Sequence, residues 1–250
     1  MRAPESEHPR IVELLARLRA ARPRVHCITN SVAQAFTANV LLALGAVPSM
    51  TLSGEEIGPF VASADALLVN LGTLDAERRA AVATAVQVAN AQDRPWVLDP
   101  VFVDRSPPRA EHARALIAFA PRAIRLNAPE LAALAATGDA GDLARTARTT
   151  IGLTGARDVV TDGVRAASVA NGHPLMARVT AMGCAASAVT AAFLSVERDA
   201  YAATLAALTV FGVAGEVAGG RAAGPGSFAS EMLDVLYGLD AGMLRHARIT

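Results

Sequence analysis

Residues 96–130 read WVLDPVFVDRSPPRAEHARALIAFAPRAIRLNAPE and hold one complete strand–helix–strand unit. The apolar runs at 96–99 and 123–126 predict buried strands, and the pattern near 111–119 predicts a helix between them. Because these strands are apolar at almost every position, they are typical of a parallel sheet whose two faces are both covered by helices.

The same alternation extends towards the N-terminus. Further strands are predicted at 25–28, 47–50 and 66–70, and further helices at 11–18 and 75–91. Asn30 and Ser31 offer an N-cap to another helix, which carries Phe36 and Leu44 and is expected to end at Gly45.

The pattern changes towards the C-terminus. Residues 158–163 predict a strand and a turn, and further strands are expected on either side of Asn171 and Gly172, which indicates an antiparallel portion at one sheet edge. Helices are predicted at 184–196, 201–219 and 227–236. No linker or repeat interrupts this order, so we predict one α/β domain over 1–250 with a mostly parallel central sheet between helical layers.

Composition narrows the function classes. The chain of 250 residues is 52% hydrophobic, and its 23 basic residues balance 23 acidic ones. This lack of net positive charge disfavours a protein that coats nucleic acid. All 23 basic residues are arginine, so a P-loop, a pyridoxal Schiff base and a protein-kinase lysine are excluded. The two cysteines are too few for a disulfide framework. We expect a soluble cytoplasmic protein that binds neither nucleic acid nor a membrane.

A set of residues follows the predicted strands directly. Its members are Asn30, Met50, residues 70–73, Asp99, Asn127 and Thr154 with Gly155. Ligands of an open parallel sheet bind beyond the carboxyl ends of its strands, so we expect these residues to converge on one edge. The preference of Asn, Asp, Gly and Thr for turns is the alternative explanation.

Asp99 and Glu130 are the candidate metal-binding carboxylates. Asp99 suits a hydrated magnesium ion, although an Asp before a proline also suits a turn or a helix cap. Asn127 and Glu130 have the spacing of a capping box, so a structural role explains them equally well. In the functional interpretation Glu130 binds magnesium through water, and the guanidinium of Arg125 binds phosphate.

Residues 179–184, VTAMGC, lead directly into a helix of small residues. Backbone N–H groups at such a helix start bind anions, which makes Met182 and Gly183 the candidate anion hole. The helix dipole favours the thiolate of a first-turn cysteine, so Cys184 is a candidate catalytic group. Filling a gap between alanine-rich helices is the alternative for Cys184, whereas Cys27 lies in a strand and is expected in the core.

Together these segments resemble the hydroxyethylthiazole kinases, which have a ribokinase-like fold. The similarity runs from about residue 24 to about 236 in the family's order. The segments that carry it are VHCITN (25–30), TAN (37–39), LLALGA (41–46), PSM (48–50), LGTL (71–74), LDPV (98–101), Arg125 with Asn127 and Glu130, TG (154–155), VT (179–180), GC (183–184) and GPGSF (224–228).

The resemblance implies magnesium-dependent transfer of the ATP γ-phosphoryl group to the primary hydroxyl of 4-methyl-5-(2-hydroxyethyl)thiazole, for thiamine salvage. It also implies a homotrimer with its sites at subunit interfaces. Cys184 matches the position of the aspartate base of other ribokinase relatives, and Met50, the backbone of Ala181 and Asn30 are the expected thiazole contacts. The other implied positions are Arg125 and Thr154 for ATP, Met182 and Gly183 for the anion hole, and Asp99 and Glu130 for magnesium.

Glycines of the family are replaced at three places on the phosphate side. Ala181 and Met182 replace the Gly-Ala of Gly-Ala-Gly-Cys, residues 102–104 (FVD) replace the Gly-Ala-Gly that follows Asp-Pro-Val, and Leu126 replaces the glycine of Arg-Gly-Asn. Each added side chain restricts the backbone or the space for phosphate. The segment 131–153 is also shorter than is typical of the family. The retained polar groups favour a thiazole kinase. The lost glycines leave open a homologue that binds a thiazole-like molecule without efficient transfer, and a kinase for another small alcohol also remains open.

Overall fold

An eight-stranded sheet runs through the computed structural model, which describes residues 7–250. Its strand order is β2-β1-β3-β4-β5-β6-β7-β8. The strands are β1 (Arg24–Ile28), β2 (Val47–Ser49), β3 (Ala66–Asn70), β4 (Trp96–Asp99), β5 (Ala123–Asn127), β6 (Thr150–Thr154), β7 (Asp158–Thr161) and β8 (Ala166–Val169). From β2 to β6 neighbouring strands are parallel, and β7 and β8 continue the sheet antiparallel. The predicted mostly parallel sheet with an antiparallel edge is confirmed.

Helices cover both faces of the sheet. They are α1 (Glu7–Ala21), α2 (Gln34–Leu44), α3 (Ile57–Ser63), α4 (Ala76–Ala91), α5 (Pro107–Ile117), α6 (Ala128–Leu134), α7 (Ala140–Ala147), α8 (Met182–Leu194), α9 (Ala200–Arg221), α10 (Pro225–Gly238) and α11 (Ala241–Leu244). One apolar core joins the sheet to α1, α2 and α8–α11, and a second joins it to α3–α7. Along β3, Leu68 belongs to the first core while Leu67 and Val69 belong to the second. Burial on both faces explains why successive strand residues are apolar.

Helix α9 lies at the centre of the first core. Its length and apolar composition would suffice to cross a membrane, but 83% of its apolar window is buried inside the fold. Helix α9 packs against α8, and both helices contain fully buried alanines, such as Ala203 and Ala207 in α9 and Ala188 and Ala192 in α8. Helix α9 is therefore a core helix.

Several helix starts differ from the sequence prediction, among them those of α2, α5 and α8. The N-cap of α2 is Ala33, and Asn30 instead accepts a hydrogen bond from Ala33 N–H in the preceding turn, at 3.0 Å. Helix α5 begins at Pro107, earlier than the predicted start near 111, because proline fits the first turn of a helix. The apolar pattern near 111–119 does not include this first turn. Helix α8 begins at Met182, so Cys184 lies inside its first turn.

The expectation of a strand after Gly172 is wrong. Residues Pro174–Arg178 form a 3-10 helix, since proline removes a backbone donor that a strand would need. The sequence pattern also misses α3, α6, α7 and α11, which have only 7, 7, 8 and 4 residues, too few to display a helical period. The predicted single domain over 1–250 includes residues 1–6, which lie outside the described residues.

Candidate active site

Polar side chains line the sheet edge where the parallel strands end. In the order of neighbouring strands, β1, β3, β4, β5 and β6 lead to Asn30, Asn70, Asp99, Asn127 and Thr154. Ligand sites of such sheets form at this edge. The expected convergence of these strand ends is therefore confirmed.

Asn70 joins its neighbours within this row. Its Nδ2 donates a hydrogen bond to Asp99 Oδ2 at 2.6 Å, and its Oδ1 accepts hydrogen bonds from Asn30 Nδ2 at 3.1 Å and from Gly72 N–H at 3.0 Å. The residue is only 1% exposed. Sequence reasoning places Asn70 on the edge but assigns it no role, because an amide with internal partners leaves no motif.

Asp99 is a fully buried carboxylate. Burial raises the pKa of Asp99, although the nearby charge of Arg125 and the hydrogen bond from Asn70 oppose the rise. Its Oδ1 accepts no hydrogen bond from the described residues, and Arg125 Nη1 lies 3.9 Å away. This oxygen is therefore a buried acceptor without a hydrogen-bond partner among the described residues.

Arg125 connects β5 to the start of α8. It donates a hydrogen bond to the hydroxyl of Thr154, and a Cβ placed on Gly183 would lie 2.6 Å from Arg125 Nη1. Glycine is therefore needed at position 183 so that the guanidinium can lie against the first turn of the helix. The structure brings together Arg125, Thr154 and Gly183, as the sequence predicts for phosphate binding.

The start of α8 has free backbone donors. No side chain within the described residues caps this helix, and its first closing bond is from Ala185 N–H to Ala181 O. The N–H groups of Met182 and Gly183 are thus available to an anion. Ala181 has φ 70°, the left-handed conformation that glycine adopts easily, so the backbone keeps the shape of a glycine turn although the residue has a Cβ.

Cys184 lies beside Asn30, whose Nδ2 is 3.3 Å from Cys184 Sγ. Burial, followed by the charge of Asp99, raises the pKa of Cys184 to about 11. The expected thiolate is therefore not the favoured form of Cys184, because burial stabilises the uncharged thiol. Cys27 is buried, as predicted, and burial raises its pKa to about 12.

Glu130 has two backbone partners. Its Oε2 accepts a hydrogen bond from Asn127 N–H at 2.9 Å within a complete capping box, and its Oε1 accepts one from Phe102 N–H at 3.0 Å. Phe102 has φ 58°, and its half-exposed ring lies over the guanidinium of Arg105. Glu130 therefore holds the loop after β4, and Phe102 also keeps a backbone conformation typical of glycine.

Met50 follows β2, the strand beside β1, and packs half-buried against the first core. The fully buried His26 bonds to both neighbours of Met50, with Nδ1 2.8 Å from Ser49 Oγ and Nε2 3.1 Å from the Thr51 carbonyl oxygen. Burial lowers the pKa of His26. A neutral imidazole thus holds the loop of Met50 on the same edge as Asn30, a role that no sequence motif reveals.

A cavity of about 570 Å³ opens at this edge. Its walls are the ends of β5 and β6, the β6–β7 turn, residues 170–177, the start of α8 and the middle of α9. Arg125 and Asp158 are the only arginine and the only carboxylate among the described lining residues. Sites for small ligands commonly have this size.

Comparison with known proteins gives the chain's relatives. The model of the "Hydroxyethylthiazole kinase family" matches residues 15–242. A protein of Agrobacterium fabrum described as a probable hydroxyethylthiazole kinase is 48% identical over 241 residues, which cover 96% of this chain and 94% of the relative. The structure of a hydroxyethylthiazole kinase from Pyrococcus horikoshii has a TM-score of 0.93 at 38% identity, covering 97% of this chain and 98% of the other.

The fold has more distant relatives. A ribokinase-like superfamily protein of Enterococcus faecalis has a TM-score of 0.64 at 14% identity, covering 91% of this chain and 89% of that one. At this identity the likeness concerns the fold alone. The expected ribokinase-like fold is confirmed.

Asp99→Asn is expected to stabilise the fold at neutral pH by about 1 kcal/mol, because it removes a buried charge and keeps an acceptor for Asn70. The raised pKa of Asp99 means that the folded state binds this proton more tightly than the unfolded chain does. Wild-type stability therefore falls as pH rises through the folded pKa, and the gain from Asn disappears in acid. Urea unfolding at acidic and neutral pH measures both effects.

Asp162→Asn is the matched control. Against the effect of burial, hydrogen bonds from Arg165 N–H and Val164 N–H lower the pKa of Asp162, so its replacement should destabilise the neutral protein. A similar loss of stability from both variants would contradict the account of Asp99.

Proposed function

Because the chain belongs to the hydroxyethylthiazole kinase family, we propose that it transfers the γ-phosphoryl group of ATP to the hydroxyl of 4-methyl-5-(2-hydroxyethyl)thiazole. The observation that carries this proposal is the contact of Arg125 with Gly183 at the start of α8, beside a cavity of about 570 Å³. A guanidinium and a helix N-terminus face the same space, and both attract a polyphosphate.

The phosphate end of the site consists of fixed donors. Arg125 and Thr154 bind the phosphates of ATP, and the N–H groups of Met182 and Gly183 form the anion hole for the group in transfer. The hydroxyl of Thr154 holds Arg125 in place before any substrate arrives. Charge positioned in advance supplies most of the catalysis in phosphoryl transfer.

The acceptor end lies at Asn30, Met50 and the backbone of Ala181. Here the substrate hydroxyl sits next to the Cys184 thiol, which Asn30 holds. With a pKa of about 11 the thiol stays protonated at neutral pH, so Cys184 orients the hydroxyl. The hydroxyl oxygen bonds to the γ-phosphorus as the bond to the ADP oxygen breaks. Because the transition state is loose, the hydroxyl proton leaves late and passes to an oxygen of the transferred phosphoryl group and then to solvent.

The residues present fit a magnesium ion that arrives with ATP. Asp99 Oδ1 is a buried carboxylate oxygen without a hydrogen-bond partner, whereas both Glu130 oxygens accept backbone N–H groups and would act through water. The described residues contain no cluster of three His, Cys, Asp or Glu suited to a metal, which agrees with an ion bound mostly by water and phosphate. When bound, the ion supplies positive charge that neutralises the phosphates.

The replaced glycines are compatible with catalysis. Ala181 and Phe102 keep left-handed backbone conformations at φ 70° and 58°, so their loops keep the course that glycine would give them. The Met182 side chain belongs to the first core and is 6% exposed. The kinase is therefore favoured over a homologue that only binds, and no observation favours a different alcohol.

The proposal includes a cytoplasmic homotrimer with sites at its interfaces. Four exposed apolar side chains lie close to Asn30 along the chain, within the segment 32–60 that contains α2, β2 and the start of α3. They are Val32, Leu42, Val47 and Phe60, which are 38–68% exposed. Apolar surface of this kind is typical of subunit interfaces.

Light scattering is expected to give three times the 25.7 kDa chain mass. Leu42→Glu, on the 57% exposed side chain of α2, should shift the protein towards monomer, because a charge is costly in an apolar interface. Val164→Glu is the control: Val164 lies in the β7–β8 turn and is 92% exposed, so its replacement should leave the mass unchanged. A wild-type monomer would contradict the trimer and the interface site.

The kinase is tested by mass spectrometry of phosphorylated thiazole formed with ATP and magnesium, with other small alcohols as comparators. Gly183→Ala should raise the KM for ATP about tenfold or more, because the new Cβ displaces the phosphate-binding guanidinium. Gly220→Ala on α9, where no atom lies within 4 Å of the new Cβ, is the control.

Three outcomes separate the candidate functions. Metal-dependent thiazole phosphate supports the kinase. Thiazole binding without product from any alcohol would contradict it in favour of a binding protein, and product from another alcohol alone would identify a different kinase.

Cys184→Ala should lower kcat by about 10- to 100-fold and leave thiazole affinity largely unchanged, because an orienting group is lost while the pocket remains. Cys184→Ser, which retains a polar hydrogen, should recover part of the rate. The kcat of the wild type should show no rise centred at the ordinary pKa of a thiol. Unchanged turnover in Cys184→Ala would contradict the proposal that Cys184 orients the substrate hydroxyl.

A further inference from the structure

One carboxylate in the cavity takes no part in the proposed transfer. Asp158 begins β7, directly after the turn 155–157 that follows Thr154. Its side chain lines the same cavity as Arg125 and is the only carboxylate among the described lining residues. A negative group thus faces the space that is proposed to receive a polyanion.

The hydrogen bonding of Asp158 is incomplete. Oδ1 accepts one hydrogen bond, from Gly155 N–H at 3.0 Å, and the residue forms no ion pair within the described residues 7–250. Burial raises the pKa of Asp158 to about 6, while the Gly155 N–H group and the charge of Arg125 oppose the rise. A half-buried carboxylate with unused lone pairs is stabilised by a further donor.

Charge decides which part of a nucleotide can face Asp158. The phosphates are repelled by a carboxylate and attracted by Arg125 and the start of α8, so the group at Asp158 must be an uncharged donor. A nucleotide offers two kinds of such donor, the ribose hydroxyls and the exocyclic amine of the base.

The position of Asp158 favours the ribose. Thr154, the hydrogen-bond partner of Arg125, is separated from Asp158 only by the turn 155–157, and Arg125 is close enough to lower the pKa of Asp158. The ribose is covalently adjacent to the phosphates, whereas the base lies one group further away. Apolar side chains suited to a base line other parts of the cavity, among them Met176, Leu208 and Phe211.

We infer that Asp158 accepts a hydrogen bond from a ribose hydroxyl of the bound nucleotide and makes the site selective for nucleotides that carry this hydroxyl. This inference rests on the proposed function, because it requires that the cavity holds ATP. Asp158 is thus a specificity-determining residue that contacts the sugar.

Calorimetry with ADP, 2′-deoxy-ADP and 3′-deoxy-ADP tests the inference without turnover. The wild type should bind one of the two deoxy ligands about tenfold more weakly than ADP, the loss expected for an unmade hydrogen bond to a charged group. In Asp158→Asn one oxygen can still accept from Gly155 N–H, but the amide nitrogen can only donate to the hydroxyl oxygen, so a hydrogen bond to a charged group is replaced by a weaker neutral one. The difference between ADP and that deoxy ligand should shrink to less than threefold in this variant.

Asp158→Ala, checked for folding by thermal unfolding, should show the same collapse. Asp162→Asn, at the other end of β7, should retain the wild-type preference. Equal affinity of the wild type for ADP and both deoxy ligands would overturn the inference and leave the kinase intact. If the Asp158 variants change only the preference between ADP and GDP, and not that between ADP and the deoxy ligands, Asp158 contacts the base and the inference is overturned. Failure of ADP to bind the wild type would overturn the proposed function as well.

Discussion

The hydrogen bond between Asn70 and Asp99 joins the ends of β3 and β4, and the rest of the site depends on it. The two residues are partners in the parallel register, so their side chains meet because the strands are aligned as they are. A fully buried carboxylate is tolerated only with such partners. The side-chain oxygen of Asn70 accepts a hydrogen bond from Asn30, and Asn30 in turn contacts Cys184. Asn70 therefore positions both Asp99 and, through Asn30, Cys184. A register slip of one residue would turn Asn70 to the other face of the sheet.

Arg125 distributes charge between the two ends of the site. It lies near Asp99, donates to Thr154 and rests against Gly183, and these residues belong to three different elements. A phosphate bound to Arg125 would partly neutralise the guanidinium charge, so the negative charge of Asp99 would be less well balanced. In the proposed function, a divalent cation delivered with the nucleotide would restore the balance, and this would account for a fully buried carboxylate with one unpartnered oxygen.

Much of this architecture can be predicted from the sequence, because burial on both sheet faces leaves a direct trace in apolar strands. The convergence of Asn30, Asp99 and Thr154 follows from parallel strands alone. The protonation state of Cys184 cannot be predicted in this way. The helix dipole and burial shift its pKa in opposite directions, and the sequence does not show how deeply the residue is buried. The second partner of Glu130 is also invisible, because its capping box is local whereas its bond to Phe102 joins residues 28 positions apart. His26 gives no signal either, since its partners become neighbours only when β1 and β2 pair.

Ala181 places a Cβ on a backbone that glycine would have left free. A residue with a Cβ has fewer accessible backbone conformations than glycine, so the segment before α8 has less freedom to lose when a phosphate orders it. The entropic cost of ligand binding is lower for a segment that is already confined to its bound shape. The replacement of glycine by alanine thus reduces the conformational freedom of the turn before α8, and the proposed phosphate-binding turn is preorganised for its ligand.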